Sequence, residues 1–137
     1  MKESTINSVI KVYFQLISDN GNLTVFPLNQ AAMHMPVARI FTINRVPPNQ
    51  IRGDHAHKLC TQLVVCLSGH VELELTDGNQ IANYILDDSG FGILIPPGIW
   101  NKLRFQDEKT VLMVLCDKLY DPDEYIRDWN TFLKLKI

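Results

Sequence analysis

Apolar and polar residues alternate with a period of two along much of the chain, in short runs set off by turn residues. Val71-Glu72-Leu73-Glu74-Leu75-Thr76 is the clearest case. In a strand it places its apolar side chains on one face and its polar ones on the other. It leads into Asp77-Gly78, a pair favoured in hairpin turns. Further β-prone runs occupy residues 37–43, 62–67, 70–76, 83–86, 92–95 and 110–116. Between them lie turn signals such as Pro47-Pro48-Asn49, Ser68-Gly69, Asp87-Asp88-Ser89-Gly90 and Pro96-Pro97-Gly98. Short strands at near-regular spacing predict an all-β fold, an antiparallel sandwich or barrel.

The C-terminal stretch reads differently. Asp121-Pro122-Asp123-Glu124 offers an N-cap, a first-turn proline and acidic residues at a positive helix end. Tyr125, Ile126, Trp129, Phe132 and Leu133 follow at helical spacing, so residues 121–135 are expected to form a helix packed on the barrel. The charges of residues 121–128 are expected to be solvated.

A length of 137 residues fits one domain, residues 1–137, with a sizeable core. A net charge of -2 gives no reason to expect nucleic acid or an anionic membrane as partner. No run reaches the roughly 18 apolar residues of a membrane span, and residues 1–20 show no leader pattern. Cys60, Cys66 and Cys116 are odd in number, lie in apolar segments and form no Cys-x-x-Cys, so they read as reduced, buried thiols of a cytoplasmic protein.

The chemistry is concentrated in Arg52-Gly53-Asp54-His55-Ala56-His57, followed by Gln62 and Gly69. Two histidines two residues apart on a strand share a face, and Asp54 between them and Arg52 faces the other way. The segment resembles the first motif of the cupin barrels, and Gly90, Pro96, Gly98 and Asn101 resemble the second. In a metal-binding cupin the Gln62 position holds a carboxylate and the Asn101 position a histidine. Two histidines with two neutral amides fall short of a transition-metal ligand set, so no metal is expected. A pair of imidazoles, titrating near neutrality, instead suits proton transfer on carbon.

From about residue 38 to residue 132 the chain resembles the bacterial sugar-nucleotide 3,4-ketoisomerases. The matching segments are Arg52-Gly53-x-His55-Ala56-His57, Gln62, Gly69, Asp77-Gly78, Ile95-Pro96-Pro97-x-x-Trp100, Val111-Leu112-x-Val114-Leu115 and Tyr120-Asp121-x-x-Glu124-Tyr125-Ile126-Arg127-Asp128. The resemblance implies a cupin jelly-roll barrel with a short C-terminal helix, a homodimer in which N-terminal strands exchange, and no cofactor. It implies a dTDP-linked 4-keto-6-deoxyhexose as substrate, its ketone moved from C4 to C3 in the making of deoxysugars for surface polysaccharide. His55 and His57 become the catalytic pair, with His57 favoured as the carbon base. Arg39, Arg52, Gln62, Trp100 and Asn101 become candidate substrate-binding residues. The chain departs from the family at Phe41-Thr42, where a pair of tyrosines is usual. Three rivals stand beside this reading: a non-catalytic sugar-nucleotide-binding cupin, a metal-dependent cupin enzyme, and a 3,5-epimerase.

Overall fold

The alternating runs become two antiparallel sheets. The computed structural model describes residues 3–137; Met1 and Lys2, the head of the stretch read above for a leader, lie outside the described residues. The strands are β1 (Ile10–Tyr13), β2 (Gln15–Ser18), β3 (Asn22–Val25), β4 (Arg39–Ile43), β5 (Ile51–His57), β6 (Gln62–Ser68), β7 (Val71–Thr76), β8 (Ile81–Leu86), β9 (Phe91–Ile95), β10 (Trp100–Phe105), β11 (Val111–Cys116) and β12 (Tyr125–Ile126). Two short helices, α1 (Gln30–Met33) and α2 (Trp129–Leu135), complete the elements used below. One sheet has the order β1-β9-β6-β11-β4 and the other β12-β5-β10-β7-β8, while β2 and β3 form a separate hairpin. This is the jelly-roll arrangement of a cupin barrel.

The main core lies between the sheets. Val64, Ile93 and Val114 from the first meet Val71, Leu73, Leu75 and Leu103 from the second. Side chains as fully buried as Leu73 and Phe105 contribute about 1.5–3 kcal/mol each relative to exposure. The run Gln62-Leu63-Val64-Val65-Cys66 does not alternate because β6 is covered on both faces. Leu63 and Val65 pack outward into a second cluster with Met33, Met35 and Phe14. The hairpin at Asp77-Gly78 joins β7 to β8, and the Asp77 carboxylate accepts from the backbone N–H groups of Asn79 and Gln80 at 2.8 and 2.7 Å.

The tail corrects the expectation of a helix over residues 121–135. Pro122–Glu124 is a single 3-10 turn capped by Asp121, Tyr125 and Ile126 are the strand β12, and only Trp129–Leu135 is helical. The reason is tertiary: β12 pairs with the end of β5, Tyr125 opposite His57 and Ile126 opposite Ala56. Edge pairing and the burial of Ile126 outweigh the local helical spacing. Ala56, Trp100, Ile126 and Phe132 then form a small outer cluster beneath α2.

The β5–β10 ladder contains the feature that shapes the site. Asn101 pairs with His55 and Lys102 with Gly53, so Asp54 is an extra residue, and the register shifts there. Gly53 and Asp54 both have positive φ, 75° and 59°. This is a β-bulge, which bends a strand and re-aims its side chains.

Candidate active site

Between the sheets opens a cavity of about 270 Å³, lined by residues that include Phe41, Arg52, His55, Gln62, Asn101, Tyr125 and Arg127. The bulge brings Arg52 and His55 to the same cavity, although they lie three residues apart on β5. It also turns Asp54 outward, where its carboxylate accepts from Trp100 Nε1 at 3.1 Å. Gly53 is fixed by space as well as by φ, since a Cβ there would lie 2.3 Å from Asn101 Oδ1.

The two imidazoles meet edge to face with ring centres 4.9 Å apart, and Tyr125 packs on both, 5.0 Å from His55 and 4.4 Å from His57. His55 Nδ1 lies 3.0 Å from the carbonyl oxygen of Gly53. A carbonyl only accepts, so Nδ1 carries the hydrogen and Nε2 keeps its lone pair. His57 Nδ1 meets the Glu124 carboxylate in a short contact, which fixes the same tautomer in that ring. His57 Nε2 is buried and has no hydrogen-bond partner among the described residues.

Electrostatics hold both rings neutral. Burial pushes His55 down to about 4, helped by the nearness of His57 and Arg127. Burial also lowers His57, against the opposing pull of Glu124. Each ring therefore presents an unprotonated Nε2 at neutral pH, the form a general base requires.

Glu124 is itself buried. Its second oxygen accepts from the backbone N–H groups of Leu59 and Cys60 at 3.2 and 3.3 Å. The carboxylate expected to be solvated is thus the one that orients His57.

The amides that replace the outer cupin ligands are also engaged. Gln62 Nε2 donates to Cys116 Sγ at 3.6 Å, and Asn101 Nδ2 donates to the His55 carbonyl at 3.2 Å. Two imidazoles beside two such amides do not make a transition-metal set.

The family model for the FdtA domain, described as WxcM-like, C-terminal, matches residues 5–137. The TDP-4-oxo-6-deoxy-alpha-D-glucose-3,4-oxoisomerase of Aneurinibacillus thermoaerophilus is 32% identical over 128 residues, 93% of this chain and 91% of that protein. The chain belongs to the FdtA family. Among solved members, the sugar 3,4-ketoisomerase QdtA of Thermoanaerobacterium thermosaccharolyticum, in complex with TDP, superposes with a TM-score of 0.91 at 28% identity, covering 96% of each chain. The TDP-fucose-3,4-ketoisomerase WlaRA of Campylobacter jejuni superposes with a TM-score of 0.85 at 30% identity, covering 94% of this chain and 96% of that one.

Within this FdtA-family fold, the residues singled out from the sequence divide into three groups. His55, Arg52, Gln62 and Asn101 line the cavity, with His57 packed against His55. Arg39 lies behind the wall, its Nη2 donating to Cys116 Sγ at 3.5 Å and its guanidinium 5.2 Å from the Phe41 ring. Trp100 is placed elsewhere: it lies on the outer face of its sheet against Trp129 and Phe132, lining a separate cavity of about 560 Å³. Strand alternation accounts for this, because neighbours Trp100 and Asn101 on β10 face opposite sides.

Of Phe41 and Thr42, only Phe41 reaches the cavity, and Thr42 is exposed. Tyr125 supplies a phenol against the histidines from β12, the strand next to their own. Glu124 and Arg127, expected in solvent, and Tyr125, expected on a packed helix, are site residues that the sequence did not reveal. All three lie in the tail segment shared with the family, and that shared segment was the available signal.

Proposed function

We propose that this protein is a 3,4-ketoisomerase acting on a TDP-linked 4-keto-6-deoxyhexose, with His55 and His57 as its acid/base pair. The observation that carries the reading is the pairing of two neutral imidazoles, each with Nδ1–H held by an acceptor and Nε2 left to take a proton. The names of the relatives supply the substrate class.

The C4 ketone acidifies the C3 hydrogen. One Nε2 removes it to give an enediol(ate), the resulting imidazolium is stabilised by its acceptor, and a proton returned to C4, as the O3 hydroxyl proton passes to O4, leaves the ketone at C3. His57, with Glu124 to stabilise its imidazolium, is the better carbon base. His55, on the cavity wall, is placed to return a proton to C4 after its Nε2 has taken one relayed from the His57 imidazolium. Arg52 and Arg127 line the same cavity and offer positive charge to the enediolate or the diphosphate. Gln62 and Asn101 fix the wall and meet sugar hydroxyls. No metal takes part in these steps.

We further propose a homodimer, the chain forming one domain in each protomer. The β2–β3 hairpin joins neither large sheet and exposes Leu16, Ile17 and Leu23, as suits a segment covered by a second copy. Three free, buried cysteines suit a reducing cytoplasm. Proton NMR of the product formed from TDP-4-keto-6-deoxyglucose tests the reaction. A 3-keto sugar supports it, whereas a C3 or C5 epimer that keeps its 4-ketone indicates an epimerase. Binding without turnover, as the loss of a phenol at Phe41 would favour, indicates a binding protein.

A further inference from the structure

Around His57 lies a second group of donors. His57, Cys60 and Glu124 each present a ligand atom, all lie within 4.8 Å of one another, and all three residues are buried. They come from three places in the chain: the end of β5, the loop that follows it, and the 3-10 turn before β12. Gln62 pairs with Cys116 across β6 and β11, which brings Cys116 to the same end of the sheet as Cys60. There Cys116 Sγ accepts from Arg39 and Gln62 at 3.5 and 3.6 Å and stands outside the donor set.

We propose that His57 Nδ1, Cys60 Sγ and a Glu124 carboxylate oxygen form an inhibitory site for a zinc-class divalent cation, with Cys60 as its one thiolate donor. Nitrogen, sulfur and carboxylate oxygen in a compact buried set are the donors zinc prefers, at about 2.0–2.3 Å each. Around the ion Cys60 Sγ draws in, while His57 Nδ1 and the Glu124 oxygen move apart from their short contact. Binding displaces the Nδ1 hydrogen that His57 shares with Glu124, and the Cys60 thiol proton passes to solvent. His57 then loses the carboxylate that would stabilise its imidazolium, and so loses its strength as a base. Of the cupin motif positions His55, His57, Gln62 and Asn101, the site uses only His57.

Cobalt(II) serves as a visible stand-in for zinc in the intact protein. An equimolar complex should show a near-ultraviolet thiolate-to-cobalt charge-transfer band that zinc abolishes by displacement. The band should persist in Cys66→Ser, whose thiol is remote, and vanish in Cys60→Ser. In case Cys60→Ser does not fold, ¹⁵N spectra of the histidine rings in the zinc-loaded wild type give an independent reading, with His57 coordinated at Nδ1. Cobalt bound without a thiolate band, a band that survives Cys60→Ser, or zinc on Nε2 would overturn the proposal.

The inhibitory part rests on the isomerase reading. Zinc should lower turnover about tenfold or more, reversed by a chelator. Failure of that part alone, with the cobalt spectrum as expected, would count against the role of His57 in the reaction and leave the metal site standing.

Discussion

Glu124 reaches across 67 positions of sequence to accept the Nδ1 hydrogen of His57, and both groups are buried. The contact fixes the tautomer and orients the ring. Glu124→Gln keeps the shape but can offer an amide N–H to Nδ1, which favours the tautomer with its hydrogen on Nε2. In a triad of similar logic the corresponding change costs about 10⁴ in kcat. Here kcat is expected to fall by about 10²–10⁴ with little change in KM. Steady-state kinetics on folded Glu124→Gln checks this, and an unchanged kcat would remove Glu124 from the mechanism.

Much of the fold was legible because strand periodicity is a local signal. The runs at 62–67, 70–76 and 110–116 emerge as β6, β7 and β11 within one residue at either end. The histidine pair was legible for the same reason, since a period of two puts His55 and His57 on one face. Glu124 was not, because its place depends on β12 pairing with β5, and a two-residue strand leaves no periodic trace. Nor was the bulge at Gly53-Asp54, although a glycine inside a strand pattern is a known sign of one. Trp100 was open to exclusion, because a strand that turns Asn101 inward turns its neighbour outward.

Acid should affect the protein in two ways. His55 stands at about 4 in the folded state, below its ordinary 6.5, and His57 is also lowered. The folded state therefore binds fewer protons than the unfolded chain. Stability is complete above pH 6.5 and declines as pH falls towards 4, with His55 accounting for a loss on the order of 3 kcal/mol. Urea denaturation at pH 7 and pH 4.5 checks this, and His55→Asn should flatten the dependence. By the same sign, the acid limb of kcat/KM should lie below pH 6.5.

Gly53 joins fold and site. An alanine there would hold a positive φ and place its Cβ 2.3 Å from Asn101 Oδ1. Gly53→Ala is expected to cost about 1–3 kcal/mol from backbone strain, with steric displacement of Asn101 in addition. Because the Gly53 carbonyl also holds His55 Nδ1, kcat should fall in whatever fraction remains folded. Thermal denaturation with kinetics on the same sample measures both.

Tyr125 packs on both imidazoles and lines the cavity. Tyr125→Phe keeps the ring and loses only the hydroxyl, so its expected effect on kcat is about tenfold or less. Tyr125→Ala opens space beside both histidines, and about 10²-fold or more is expected. Equal losses in the two variants would show that the hydroxyl, and not the packing of the ring, is what the reaction uses.

The central claim is that the paired histidines move a proton between C3 and C4. Its most direct test is proton NMR of TDP-4-keto-6-deoxyglucose with the protein in D₂O, beside His57→Asn. Deuterium at C4 of a 3-keto product, formed by the wild type and lost at least 10²-fold in His57→Asn, is the result this account predicts. Nucleotide sugar that binds and exchanges no hydrogen, or exchange that His57→Asn leaves untouched, would contradict it.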